Sequence, residues 1–205
     1  MNRRQFLIAA AALPVGRAAF AQKSAEDDPI DRVGPFKTDA KQVFEFFLFS
    51  CFYCQQRHDA IASWGRSIPA PVKFESVPVV VDYESFKSAR VYYSVQRAAP
   101  DRLNDFMRVA FESARRGIVD LSSPDVLRAA GVPQKMFDQA WASPAVKASI
   151  ELAMTLTARY GVVVTPSLGI GGRHVLHADQ VGGDYGALMR LASGFVSQIL
   201  GGGNA

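Results

Sequence analysis

The chain has two cysteines in 205 residues, Cys51 and Cys54, and they stand three apart. At that spacing on a helix, side chains project from one face, close enough for their sulfurs to bond. A staple this short closes almost no loop and constrains the unfolded chain very little. A structural framework in an exported protein uses more cysteines, more widely spaced. Reactivity accounts for the pair better. Cys51 falls where a helix begins, in the first turn, and there the unpaired backbone N–H groups and the helix dipole favour an anion. The thiolate is the nucleophile, so Cys51 is expected to attack and be attacked. Cys54, one turn in and on the buried side, is expected to resolve the mixed disulfide. Two other readings stay open: a pair of small buried hydrophobes, or half of a zinc site.

The elements around the pair fit the first reading. Residues 43–49 form an apolar run suited to a central strand. From Cys51 to about residue 67 a helix is expected, with Cys54, Ile61, Trp64 and Ile68 inward and Gln55, Gln56, Arg57, Asp59 and Arg66 outward; Pro69 and Pro71 close it. A second strand over 72–81, parallel to the first, completes a right-handed βαβ unit. A tract without strand signal follows: helices over 83–98, 101–117, 124–131, 133–142 and 144–161, several opened by Ser-Pro and closed by glycine. Strands are expected again at Val162-Val163-Val164, at 167–170 and at 174–176, the last two joined by Gly171-Gly172. Asp184 caps a final helix that turns Leu188, Leu191, Phe195 and Ile199 inward. A weak edge strand falls within 31–38. Cys51-x-x-Cys54 after a strand, opening a helix inside βαβ, is a much stronger signal than the motif alone.

Charge and targeting narrow the function classes. The formal net charge is +4, but Arg3, Arg4 and Arg17 lie in the first 21 residues, which hold no acidic residue. That stretch reads as a signal peptide: two arginines, an apolar run over 6–15, and Ala19-Phe20-Ala21 as the cleavage site. The run is shorter than the roughly 20 residues that span a bilayer. Asn2-Arg3-Arg4-Gln5-Phe6-Leu7 resembles a twin-arginine signal, with a plain secretory n-region as the alternative. Beyond residue 21 the balance is 20 basic against 19 acidic residues, a net +1, so nucleic-acid binding finds no support in charge.

Phe44-Glu45-Phe46-Phe47 leading into Cys51-x-x-Cys54, the helical tract, and the Thr165-Pro166 dipeptide together resemble the DsbA family of periplasmic thiol–disulfide oxidoreductases. The resemblance implies an α/β protein: a thioredoxin fold with an inserted all-helical domain. The thioredoxin-like part then takes residues 30–81 and 144–200, the insertion 82–143, and the signal peptide 1–21. It also implies a reactive Cys51, a cis Pro166 with the Thr165 backbone facing Cys51 to pair with an extended substrate, and reoxidation by a membrane quinone-linked partner of the DsbB type. No cofactor is implied. One departure matters: the dipeptide between the cysteines is Phe52-Tyr53, where the family's best-known members carry Pro-His. A tyrosine there, and Thr165 before the proline, are more like the isomerase-type relatives. Without an imidazole beside it, Cys51 should be less acidic than the pKa of about 3.5 in DsbA, and the potential should fall between about −120 and −230 mV.

Glu45 is a charge inside the apolar strand. In a central strand it is buried, with a raised pKa, and can pass protons to and from Cys54; the alternative is a solvated edge position. His58, His174 and His177 are expected at the surface, the last two on opposite faces of their strand. Trp64, Trp141 and the phenylalanines are expected in the core. Phe52, Tyr53, Thr165 and Pro166 are the expected substrate contacts. The reading is an enzyme that introduces disulfides into exported proteins, expected to be a monomer. A reductase or isomerase of the same fold is the nearest alternative, and a periplasmic metallochaperone using the cysteines and a histidine is the more distant one.

Overall fold

The computed structural model describes residues 30–202. The signal sequence over 1–21 and the polar stretch behind it lie outside the described residues. Five strands form one mixed sheet in the order β1-β5-β4-β2-β3: β1 (Asp31–Arg32), β2 (Gln42–Phe47), β3 (Lys73–Pro78), β4 (Ser167–Ile170) and β5 (His174–His177). β2 and β3 pair in parallel, Glu45 opposite Ser76, while β4 runs antiparallel to β2 and β5 to β4. Helix α1 (Phe52–Ser67) crosses between the parallel strands. The helical tract follows as α2 (Tyr83–Ala98), α3 (Leu103–Arg115), α4 (Pro124–Ala129), α5 (Gln134–Trp141) and α6 (Pro144–Arg159). The chain then returns to the sheet through β4 and β5 and ends on α7 (Tyr185–Leu200). This is the thioredoxin fold with helices inserted after its βαβ unit.

Alternation along β2 divides the interior. Phe44 and Phe46 turn towards Tyr160 at the end of α6, in edge and tilted ring contacts of 5.6 and 5.5 Å. Val43 faces the other way, into a cluster with Ile61 of α1, Leu168 and Leu176 of the sheet, and Leu188, Ala192 and Val196 of α7. The strand is therefore buried on both faces, as its unbroken apolar run predicts. Helix α1 lies close on β3: a Cβ at Gly65 would stand 2.4 Å from the Phe74 ring, so only glycine permits this approach. Gly171 and Gly172, at φ +63° and +68°, make the tight turn that joins β4 to β5.

The expectation of a strand at Val162–Val164 is overturned. These residues form an irregular link after Gly161, and Val163 is 85% exposed. Three β-branched residues favour extended backbone, but among the described residues no strand lies alongside to pair with them, so no ladder forms. The sheet begins one step later, at Ser167. The edge strand near residue 31 exists but is two residues long.

Candidate active site

Cys51 stands at the tip of α1 as its N-cap, in extended conformation, rather than in the first turn. The Cys54 backbone N–H donates to its sulfur at 3.2 Å, so the cysteine does the work that serine or aspartate does at other helix starts. No acidic residue stands in the first turn of α1 to oppose a negative sulfur. The Cys51 Sγ also lies 3.2 Å from the Thr165 carbonyl oxygen, which favours the protonated thiol. The donors outweigh it. Hydrogen bonding from the Cys54 thiol, and after it from Thr165 and the backbone N–H groups, overcomes partial burial and lowers Cys51 from its ordinary 9.0 to about 6. Cys54 is fully buried, and burial first, then its contact with Cys51, push its thiol far upward. The two groups share one titration in the tightly coupled sense. Its direction is clear: the outer sulfur ionises and the inner one keeps its proton.

The expected substrate contacts do gather here, with one exception. The Thr165–Pro166 bond is cis, as are Gly34–Pro35 and Ala70–Pro71. Tyr53, Thr165 and Pro166 line a groove of about 360 Å³ together with Val164, His177, Asp179 and Tyr185. Phe52 is the exception: it is exposed, packs edge-on against Tyr53 at 5.6 Å and projects from the helix tip outside that groove. Tyr185 was not foreseen. Its ring is 6.3 Å from that of Tyr53, and the Arg57 guanidinium stacks on its other side at 4.7 Å. Burial first, and then the neighbouring sulfurs of Cys54 and Cys51, push its phenol up to about 12, so it stays a hydrogen-bond donor at neutral pH. Nothing local signals Tyr185, since it is 131 residues from Cys54 and arrives through the register of β5 and α7.

Glu45 sits deeper. It is fully buried, its Oε2 accepts a hydrogen bond from Ser76 Oγ at 2.7 Å, and its Oε1 lies 3.5 Å from His58 Nδ1. A solvated edge position is thus excluded. The expectation that the histidines lie at the surface is corrected. His58 is 6% exposed and His174 8%, and His177 is largely covered. His58 is wedged between Phe47 and Phe111, with ring centroids 6.3 and 5.0 Å away. His174 stacks on Phe195 at 4.3 Å, while His177 on the opposite face reaches Asp31 and Asp179. The sequence held the signal for His58: positions 54, 58, 61 and 65 form one stripe at helical spacing, and all four are buried. A polar residue type on an apolar stripe was given a surface place that its phase rules out. Trp64 and Trp141 are only partly buried, Trp64 donating its indole N–H to Ser193 Oγ at 3.0 Å. Among the described residues, no three or more His, Cys, Asp or Glu side chains gather as a metal site.

No family model matches the chain. Among curated proteins it is similar to the thiol:disulfide interchange protein DsbA of Bordetella parapertussis, 25% identical over 201 residues that cover 94% of this chain and 95% of that one. DsbA of Pseudomonas aeruginosa is 23% identical over 146 residues, 69% of this chain and 68% of the relative. Among solved structures, that of Pseudomonas aeruginosa DsbA superposes with a TM-score of 0.73 at 21% identity, covering 85% of this chain and 95% of the other.

Proposed function

We propose that the chain is a member of the DsbA family of the thioredoxin superfamily, a disulfide oxidoreductase that exchanges thiols and disulfides with protein substrates, and that it works as an oxidant, passing its Cys51–Cys54 disulfide to exported proteins. The observation that carries this direction is the asymmetry of the two sulfurs, one at a helix N-cap and held near pKa 6, the other buried and protonated. A stabilised Cys51 thiolate favours the reduced enzyme, and an enzyme that prefers to be reduced is an oxidant.

The cycle begins when a substrate thiolate attacks Cys51 Sγ. The Cys51–Cys54 bond breaks, and Cys54 departs with the electron pair and is protonated. The substrate's second thiolate then attacks the substrate sulfur that is bonded to Cys51, the two substrate sulfurs form a disulfide, and Cys51 leaves as the thiolate its donors stabilise. The substrate is oxidised by two electrons and the enzyme reduced by two. Thr165 and Pro166 flank the attacked sulfur, and Phe52 and Tyr53 offer exposed aromatic surface beside it. Glu45 serves proton traffic at Cys54. The enzyme acts in the periplasm as a monomer after cleavage near Ala21, with Arg3-Arg4 suited to twin-arginine export. A quinone-linked membrane partner of the DsbB type restores the disulfide.

Tyr53 and Thr165 favour the second reading, a reductase or isomerase, because direction is set by potential and not by motif. Equilibration with glutathione separates the two. A potential between about −120 and −230 mV supports the oxidant, and one as low as about −270 mV makes the protein a reductase. A Cys54→Ser variant expressed in the exporting cell should accumulate mixed disulfides with secreted proteins; recovery with none removes the proposal.

A further inference from the structure

Each turn of the proposed cycle moves one proton onto Cys54 and one off it, and Cys54 is sealed from water. When substrate opens the disulfide, Cys54 leaves with the electron pair and takes up a proton. When the enzyme is reoxidised, the Cys54 sulfur forms its bond to Cys51, the partner's sulfur leaves that cysteine with the electron pair, and the Cys54 proton must go. A buried thiol needs a built path for this.

One helical turn beyond Cys54, on the same buried stripe of α1, is His58. Residues four apart on a helix are side-chain neighbours. Glu45 Oε1 and His58 Nδ1 are both buried, have no hydrogen-bond partner, and lie 3.5 Å from each other. They satisfy one another when a proton lies between them, which engages Nδ1 with Glu45. Nε2 is then the nitrogen free to exchange. His58 also borders a surface recess of about 220 Å³, rimmed by Gln55, Asp59, Arg108, Phe111, Glu112 and Arg115. The imidazole thus stands between the core and water. Well-packed apolar residues often replace such a buried pair without loss of stability, so filling space does not account for it.

We propose that His58, anchored by Glu45, is the relay that carries the Cys54 proton to and from water through this recess. The inference rests on the oxidoreductase reading and deepens it. Glu45 on β2 then positions the ring, in the way a base is oriented by a third group. The charged and titratable groups that bear on the relay are Glu45 from β2, Arg108, Glu112 and Arg115 from α3, and Asp59 and Cys54 on its own helix. Tyr92 of α2 joins them indirectly, its hydroxyl donating to the Ser76 carbonyl at 3.0 Å.

The test isolates the step made by Cys54. Reduced protein mixed with an aromatic disulfide reagent releases one thiolate as Cys51 is modified and a second as Cys54 resolves the mixed disulfide. His58→Gln should leave the first phase unchanged. It should slow the second at pH 7 by at least about tenfold, the low side of what a positioned acid–base group supplies, and make its rate rise in proportion to hydroxide. In the unmutated protein the second phase should be slower in D2O. A His58→Gln second phase with the original rate and pH profile overturns the relay, as does a second phase equally fast in D2O, which needs no variant to fold. An unmutated protein that never shows the first phase would instead sink the oxidoreductase reading.

Discussion

Cys51 and Cys54 share a helix and are separated by two residues, yet they face opposite physical regimes. Around Cys51 the surroundings are backbone N–H groups, a threonine and solvent; around Cys54 they are the aromatic core, with a glutamate–histidine pair one turn away. The outer side stabilises charge and the inner side expels it, and that difference is what supports the proposed roles of attacking and resolving thiol. Position along the helix explains little of this. The hydrogen bond from the Cys54 thiol to Cys51 and the depth of the core beneath Cys54 explain most of it.

The strongest way to break the comparison is to remove each sulfur in turn. Cys51→Ser should reduce disulfide transfer to the uncatalysed rate, whereas Cys54→Ser should still react once and then stall as a mixed disulfide, visible by mass on a non-reducing gel. Equal loss without trapped adducts would erase the assigned roles. The next largest effect concerns the inner side. His58→Ala leaves the buried Glu45 carboxyl with only Ser76, and breaking a buried pair in this way costs about 3–5 kcal/mol. Urea unfolding of the reduced protein checks it, and an effect under about 1 kcal/mol would mean that the pair is solvated.

Reading these regimes from sequence succeeded where local pattern and depth agree. The strand over 42–47, the helix that Cys51 opens, the Asp184 cap and the Gly171-Gly172 turn are all encoded by neighbours within a few positions. Failures came where another part of the chain decides. Val162–Val164 has the residue types of a strand and no partner to pair with. His58 follows the buried stripe but was placed by residue type instead of by phase. Tyr185, Asp179 and His177 reach the groove only because β5 pairs with β4 and α7 packs beside α1, which no local signal announces.

A smaller effect sharpens the outer side. Thr165→Val removes one of the donors that favour the thiolate and keeps the carbonyl that favours the thiol, so the Cys51 pKa should rise and attack at pH 7 should slow. An unchanged titration would assign the acidity to the Cys54 thiol and the backbone N–H groups without Thr165. Smaller still is the pH dependence of folding stability. A depressed acid contributes stability that is complete above its unfolded value and lost as pH falls through its folded value. Reduced protein should therefore gain stability relative to the oxidised form between pH 6 and 9.0. Cys54, shifted the other way, contributes fully below 9.0 and begins to lose that contribution above it. In thermal melts of both redox forms, the difference between them should grow from pH 6 to 9.0 and be flat below pH 6; a difference that kept changing below pH 6 would contradict the assignment.

The asymmetry itself is tested most directly by following alkylation of the reduced protein with iodoacetamide from pH 4 to 9, locating the adduct by peptide mass. Modification is expected at Cys51 with a midpoint near pH 6, and none at Cys54 while the protein stays folded. Both thiols reacting together, with the midpoint of an ordinary cysteine, would contradict it.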